Sequence, residues 1–143
     1  CLGDTNPLRR HTAERLGCCT VYDPSGDELP DENSFDLVID AVGSGRTREA
    51  SCRHVSAGGV ISHVGLQDNE PGLDTRRMTL EEITFLGNYT YRAVDLRAAI
   101  DALYRGALGP LDWVETRLLS EGAAAFRDIH EGKAAAPKIV LRP

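Results

Sequence analysis

Apolar and polar positions along this chain fall in blocks, and the densest apolar block is Leu37-Val38-Ile39-Asp40-Ala41, in which only Asp40 is polar. A strand with one face in water would alternate. A run this apolar predicts a central strand of a parallel sheet, covered on both faces. It stops at Gly43-Ser44-Gly45, where the chain can turn sharply and bring its backbone close to a ligand. Ligands of open parallel sheets sit beyond the carboxyl ends of the strands, so the functional end is expected near Ala41 to Ser44.

The same pattern places the other elements. Asn6-Pro7 predicts a helix start, and the helix runs to Leu16 with Leu8, Thr12, Ala13 and Leu16 on one face, until Gly17 stops it. A short strand follows over Cys19-Thr20-Val21-Tyr22, then turn residues from Asp23 and an acidic loop, Asp27 to Asn33. After Gly45 a helix is expected over roughly 46–55, ended by Gly58-Gly59. Strands are expected at Val60–Leu66 and Ile83–Gly87, with a polar loop reaching about Arg77 between them. Strand, helix and glycine turn thus alternate, the pattern of a doubly wound α/β sheet. Beyond it, Leu96, Ala99, Ile100 and Leu103 mark an amphipathic helix closed by Gly106. Trp113–Leu118 reads as a strand, Ser120 as the cap of a short helix carrying Phe126 and Ile129, and Ile139-Val140-Leu141 as a last strand.

Composition narrows the classes without naming one. A chain of 143 residues can bury a core of its own, and 41% apolar with 27% charged residues is ordinary for a globular protein. A net charge of −6 with scattered basic residues argues against a nucleic-acid partner, and no apolar run is long enough for a membrane span. Cys1, Cys18, Cys19 and Cys52 lack metal-ligand spacing and read as reduced thiols of a cytoplasmic protein. His11, His54 and His130 fall in predicted helices and read as surface residues. His63 lies just before a strand end and could approach a ligand, the alternative being a buried, hydrogen-bonded or polar-face histidine. No Ser-His-Asp or Cys-His set converges, and no metal cluster is expected. The opening Cys1-Leu2-Gly3-Asp4 reads as a strand end without its beginning, so the sequence is expected to be a piece of a longer protein.

Asp4 with Arg9, Phe35-Asp36-Leu37-Val38-Ile39-Asp40-Ala41-Val42-Gly43, Gly58-Gly59, Val64-Gly65-Leu66, Gly87-Asn88-Tyr89 and Lys138-Ile139-Val140-Leu141 follow one another over nearly the whole chain. In that order and spacing they resemble the C-terminal part of the zinc-type medium-chain dehydrogenases/reductases, the alcohol and polyol dehydrogenases. The resemblance implies an α/β fold with a Rossmann-like doubly wound parallel sheet, lacking its first βα unit, plus a C-terminal α+β segment. It implies a partial dinucleotide-binding domain over residues 1–88 and, over 89–143, a segment that returns to the catalytic domain.

The same resemblance implies the cofactor residues. Asp4 would accept hydrogen bonds from the adenosine ribose and repel the extra phosphate of NADP, favouring NAD; the alternative is that it only serves the positive helix end. Arg9 could reach the same ribose or remain a surface arginine. Ala41, Val42 and Gly43 would form the wall under the riboses, Gly65 and Leu66 the strand end along the nicotinamide, or else plain turns. Tyr89 and Thr90 would hold the carboxamide by their backbone, Tyr89 equally serving in packing, and Lys138 would face the pyrophosphate or solvent.

The glycine-rich phosphate loop, the zinc ligands and the proton relay would lie upstream. The implied function is hydride transfer between a secondary alcohol or polyol and NAD in a zinc-dependent, homodimeric or homotetrameric parent, with this piece alone inactive. The competing reading is a non-enzymatic Rossmann-like module acting in self-association; another Rossmann-type enzyme, such as a methyltransferase, leaves the order of the landmarks unexplained.

Overall fold

The computed structural model describes all 143 residues. They divide into two compact units, one made of residues 1–29 and 93–143, the other of residues 30–92.

In the second unit three parallel strands stand in the order β3-β4-β5: β3 (Phe35–Asp40), β4 (Val55–His63) and β5 (Thr84–Gly87). Between them run α2 (Gly45–His54) and a short helix, α3 (Thr75–Leu80), in a stretch whose polar sequence predicted only loop. Asp74 explains the helix: its carboxylate accepts the Arg77 N–H at 2.8 Å and caps the first turn. The core is small, with Cys52, Val55, Ile61 and Ile83 buried and Val38, Leu73, Met78 and Phe85 packed against them.

The most apolar strand is not the central one. β4 is central and β3 lies at the edge, with Leu37 55% and Ile39 63% exposed while Val38 and Asp40 face the core. Nothing in this unit covers the face bearing Leu37 and Ile39, so an apolar run that suits two buried faces has only one here. The β3–β4 register also slips: Phe35 pairs with Val55, but Leu37 pairs with Val60. Residues 56–59 are looped out, with Gly58 left-handed at φ 72°, so β4 begins five residues before the predicted Val60 and ends at His63.

In the first unit β1 (Leu2–Gly3) pairs in parallel with β2 (Val21–Tyr22), and α1 (Pro7–Leu16) connects them. Asn6 caps α1 as its sequence predicts, its Oδ1 accepting the Leu8 N–H at 2.8 Å, and Gly17 ends it at φ 63°. Thr12 is the buried member of the predicted face, and its hydroxyl donates to the Ala135 carbonyl at 3.1 Å. The tail forms α4 (Ala93–Tyr104), which buries no residue, then β6 (Val114–Leu118), α5 (Gly122–His130) and β7 (Lys138–Arg142), with β6 and β7 parallel. Ser120 does not cap α5. It lies in a 3-10 turn, Leu119–Glu121, that leads directly into the helix, and Glu121 Oε2 instead accepts the Leu118 N–H at 2.8 Å. The four cysteines are free. No helix is long and apolar enough to cross a membrane.

Candidate functional site

The carboxyl ends of β3 and β4 meet where the sequence places its glycines. Gly43 takes φ 76°, a conformation in which a side chain is strained, and an added Cβ there would lie 2.1 Å from the Gly65 carbonyl carbon. A Cβ on Gly65 would lie 2.0 Å from the Val42 carbonyl carbon. The two strand ends therefore touch backbone to backbone, and only glycine allows it.

Asp40, the one polar residue of the apolar run, is the pin of this arrangement. It is 4% exposed, and its Oδ1 accepts the Gly43 N–H at 2.8 Å and the Val42 N–H at 3.1 Å. Its Oδ2 accepts the Thr47 hydroxyl at 3.0 Å and lies 3.5 Å from His63 Nε2, which is buried with no hydrogen bond. The Asp40 carbonyl accepts the N–H groups of Val64 and Gly65 at 2.9 and 3.0 Å. One aspartate thus fixes both strand ends. Ser44 and Thr47 cap α2 reciprocally, so the helix starts directly from the turn.

Beside the turn an open groove of about 290 Å³ is lined by Arg48, His63, Gly65, Leu66, Asp68, Asn69 and Glu70. That is room for one end of a dinucleotide, not the whole. Desolvation acts to raise the pKa of Asp68, but the Glu70 N–H, Arg48 and the Gly45 N–H outweigh it and hold the carboxyl below its ordinary value.

The predicted residues divide between the units. Ala41, Val42, Gly43, Gly65 and Leu66 gather at the strand ends just described, Val42 and Leu66 exposed and Gly43 and Gly65 buried. Tyr89 and Thr90 follow β5 in the same unit. Tyr89 is 81% exposed, and Thr90 holds a left-handed φ of 56°, rare for a β-branched residue. Asp4, Arg9 and Lys138 belong to the other unit, Lys138 exposed at the start of β7.

Asp4, just past β1, takes a two-point ion pair from Arg9, Nε to Oδ2 at 2.7 Å and Nη2 to Oδ1 at 2.8 Å, while Asn6 N–H donates to Oδ1 at 2.8 Å. A carboxylate has roughly four acceptor positions, so one on Oδ2 is left for an outside donor. Burial pushes the Asp4 pKa up, but the Arg9 hydrogen bond, the Asn6 N–H and the charges of Arg9 and Arg10 overcome it and hold the carboxyl below the ordinary 3.8. A depressed folded-state pKa stabilises the fold above the unfolded value and loses that contribution as pH falls through the folded value. Asp4→Asn is therefore expected to lower the melting temperature modestly at neutral pH, with the difference from wild type shrinking below about pH 4. Melting curves from pH 2 to 7 check this; a constant difference over that range would contradict it.

The histidines depart from expectation at one position. His11 and His130 are exposed, but His54 is 6% exposed and its Nδ1 lies 3.2 Å from the Asp31 carbonyl, because the last turn of α2 packs inward. No three His, Cys, Asp or Glu side chains are placed to hold a metal ion, so these residues do not themselves fit a zinc. Sequence reasoning missed Asp40, Thr47, Arg48 and Asp68 as site residues. A lone carboxylate in an otherwise apolar strand was the available signal for Asp40.

Residues 3–105 match the family model described as zinc-binding dehydrogenase. The chain belongs to the zinc-binding dehydrogenase family. The Rossmann-like fold is shared with solved structures. Acetophenone reductase from Geotrichum candidum NBRC 4597, in complex with NAD, superposes with a TM-score of 0.82 at 22% identity over 99% of this chain and 40% of that one. Alcohol dehydrogenase from Thermus sp. ATN1 gives 0.79 at 26% identity over 98% and 44%. A Sinorhizobium meliloti 1021 protein bound to NADP gives 0.77 at 24% identity over 99% and 44%. This zinc-binding dehydrogenase chain thus spans about two fifths of the length of these structures. No curated protein matches it. The Geotrichum candidum structure carries NAD and the Sinorhizobium meliloti structure NADP.

Proposed function

We propose that this chain is the cofactor-binding part of an NAD-dependent, zinc-type alcohol or polyol dehydrogenase that transfers hydride between a secondary alcohol and NAD. The observation that carries the reading is the contact of Gly43 with Gly65 at two adjacent strand ends, pinned by Asp40 beside an open groove, in a family member. Ala41 and Val42 would line the cofactor's path, Gly65 and Leu66 the nicotinamide, and Tyr89 and Thr90 its carboxamide. Lys138 would offer a positive charge to the pyrophosphate. Asp4, steadied by Arg9, would accept a ribose hydroxyl and disfavour a 2′-phosphate, which is the support for NAD over NADP. Nicotinamide, when bound, supplies the hydride acceptor; these residues bind and orient it. No step through zinc is assigned to them, and the chain by itself is read as inactive. A division at residue 88, a cytoplasmic location, and a homodimer or homotetramer of the parent belong to the same reading.

The test is an NADH titration of the 143-residue chain, followed by calorimetry and by energy transfer from Trp113. Saturable binding, weakened roughly ten- to a hundredfold by Asp4→Ala as loss of a hydrogen bond to a charged group predicts, is the expected result. No binding at millimolar NADH would overturn it. It would leave the second reading, a non-enzymatic module acting in self-association, which one observation favours: β5 is an edge strand with one side unpaired.

A further inference from the structure

Arg48 follows a glycine turn by one helical turn, a place where an arginine reads as a phosphate ligand. Its contacts say otherwise. The residue is 9% exposed, and its Nη1 donates to the carbonyls of Gly43 at 3.0 Å and Asp68 at 3.2 Å. Its Nη2 donates to Asp68 Oδ1 at 2.9 Å and to the Glu70 carbonyl. Both terminal nitrogens are thus engaged with neighbouring backbone and a carboxylate, and the charge is already balanced by Asp68.

What Arg48 joins is more telling. The segment after Gly65 has no regular structure, yet the N–H groups of Gln67 and Asp68 donate to the carbonyls of Val42 and Gly43, both at 3.1 Å. Asp68 Oδ1 further accepts the N–H groups of Gly45 at 3.0 Å and Glu70 at 3.1 Å. Remove the guanidinium and the carbonyls of Gly43, Asp68 and Glu70 lose a shared donor at one stroke. The planar fork can serve several acceptors at fixed angles; a lysine ammonium cannot.

We propose that Arg48, clasped to Asp68, is a positioning residue that holds the turn at 41–45 and the loop at 65–70 in the one arrangement that accepts the nicotinamide end of a dinucleotide, without touching the cofactor's phosphates. The inference rests on the reading that this groove takes such a cofactor. Preorganised loops bind more tightly because less ordering remains to be done on binding. The clasp therefore acts on affinity through geometry and not through charge.

Arg48→Gln, Arg48→Lys and Asp68→Asn in the 143-residue chain test it by two readouts. In amide hydrogen exchange without ligand, each variant should exchange at least tenfold faster at residues 43–45 and 67–70, with Val60–His63 unchanged. In NADH titrations at several salt concentrations, each should weaken binding about tenfold or more, with the wild-type salt dependence preserved. The double variant Arg48→Gln/Asp68→Asn should be little worse than either single one, because both break one unit. A flattened salt dependence on losing Arg48 would mean that it contacts phosphate, and unchanged local exchange would mean that it holds nothing; either overturns the proposal. Unchanged affinity beside faster exchange also overturns it, leaving Arg48 a stabilising residue only. Should the wild-type chain bind no NADH, the cofactor reading fails, and exchange at 43–45 and 67–70 still decides whether the clasp exists. If Arg48→Gln does not fold, Asp68→Asn, which alters the half-exposed partner, carries the same test.

Discussion

Gly43→Val is expected to destabilise the unit of residues 30–92 by roughly 2–6 kcal/mol and to abolish any ligand binding at the strand ends. Two costs add. A β-branched residue at φ 76° loses about 1–3 kcal/mol to backbone strain. Its Cβ would also begin 2.1 Å from the Gly65 carbonyl, and the contact there is backbone, not a side chain that can swing away. Overpacking of this kind costs a further 1–3 kcal/mol or more. Urea denaturation followed by circular dichroism measures the loss. Gly17→Val, at a left-handed glycine with nothing within 4 Å, serves as the comparison, since it carries the first cost without the second. Equal losses at the two glycines would mean that the strand ends do not touch.

Asp40→Ala is expected to cost about 3–5 kcal/mol, a large share of the 5–15 kcal/mol that holds an ordinary domain together. The change strips the acceptor from the Gly43 N–H, which is buried, and from the Val42 N–H, leaves the Thr47 hydroxyl to the Ser44 carbonyl, and leaves His63 Nε2 beside an empty space. Each buried donor left unsatisfied costs roughly 1–3 kcal/mol. Asp40→Asn keeps an acceptor oxygen for the turn and should recover a substantial part of the loss. If alanine and asparagine prove equally mild in urea denaturation, the carboxylate is not the pin of the site.

Much of this was legible in the sequence because the signals are local. Asn6-Pro7 and Gly17 bound α1 through caps that need no tertiary partner, and the glycine stops after Asp40 and His63 mark strand ends by their own backbone freedom. The landmarks from Asp4 to Lys138 carried the family. What failed was decided by neighbours far along the chain. Whether β3 is central or at an edge depends on which strand lies beside it, and Leu37 and Ile39 read the same either way. His54 is buried because the end of α2 turns toward the Asp31 carbonyl, 23 residues away, and no periodicity announces that contact. Arg48 finds its partner in Asp68, twenty positions on, and no local pattern marks that pairing. Ser120 has the chemistry of a helix cap, but the turn containing it continues smoothly into α5 and leaves it nothing to cap.

The position of β4 between two neighbours separates the chain into slow and fast parts. Val60 to His63 are paired on both sides, with β3 and with β5, so freeing them requires both ladders to open. α4 buries no side chain and can fray at almost no cost. Opening should then be staged: the helix of residues 93–104 loosens long before the strand that carries His63 to the groove. A protease working under native conditions would meet the tail first, and the pinned strand ends would outlast its cuts.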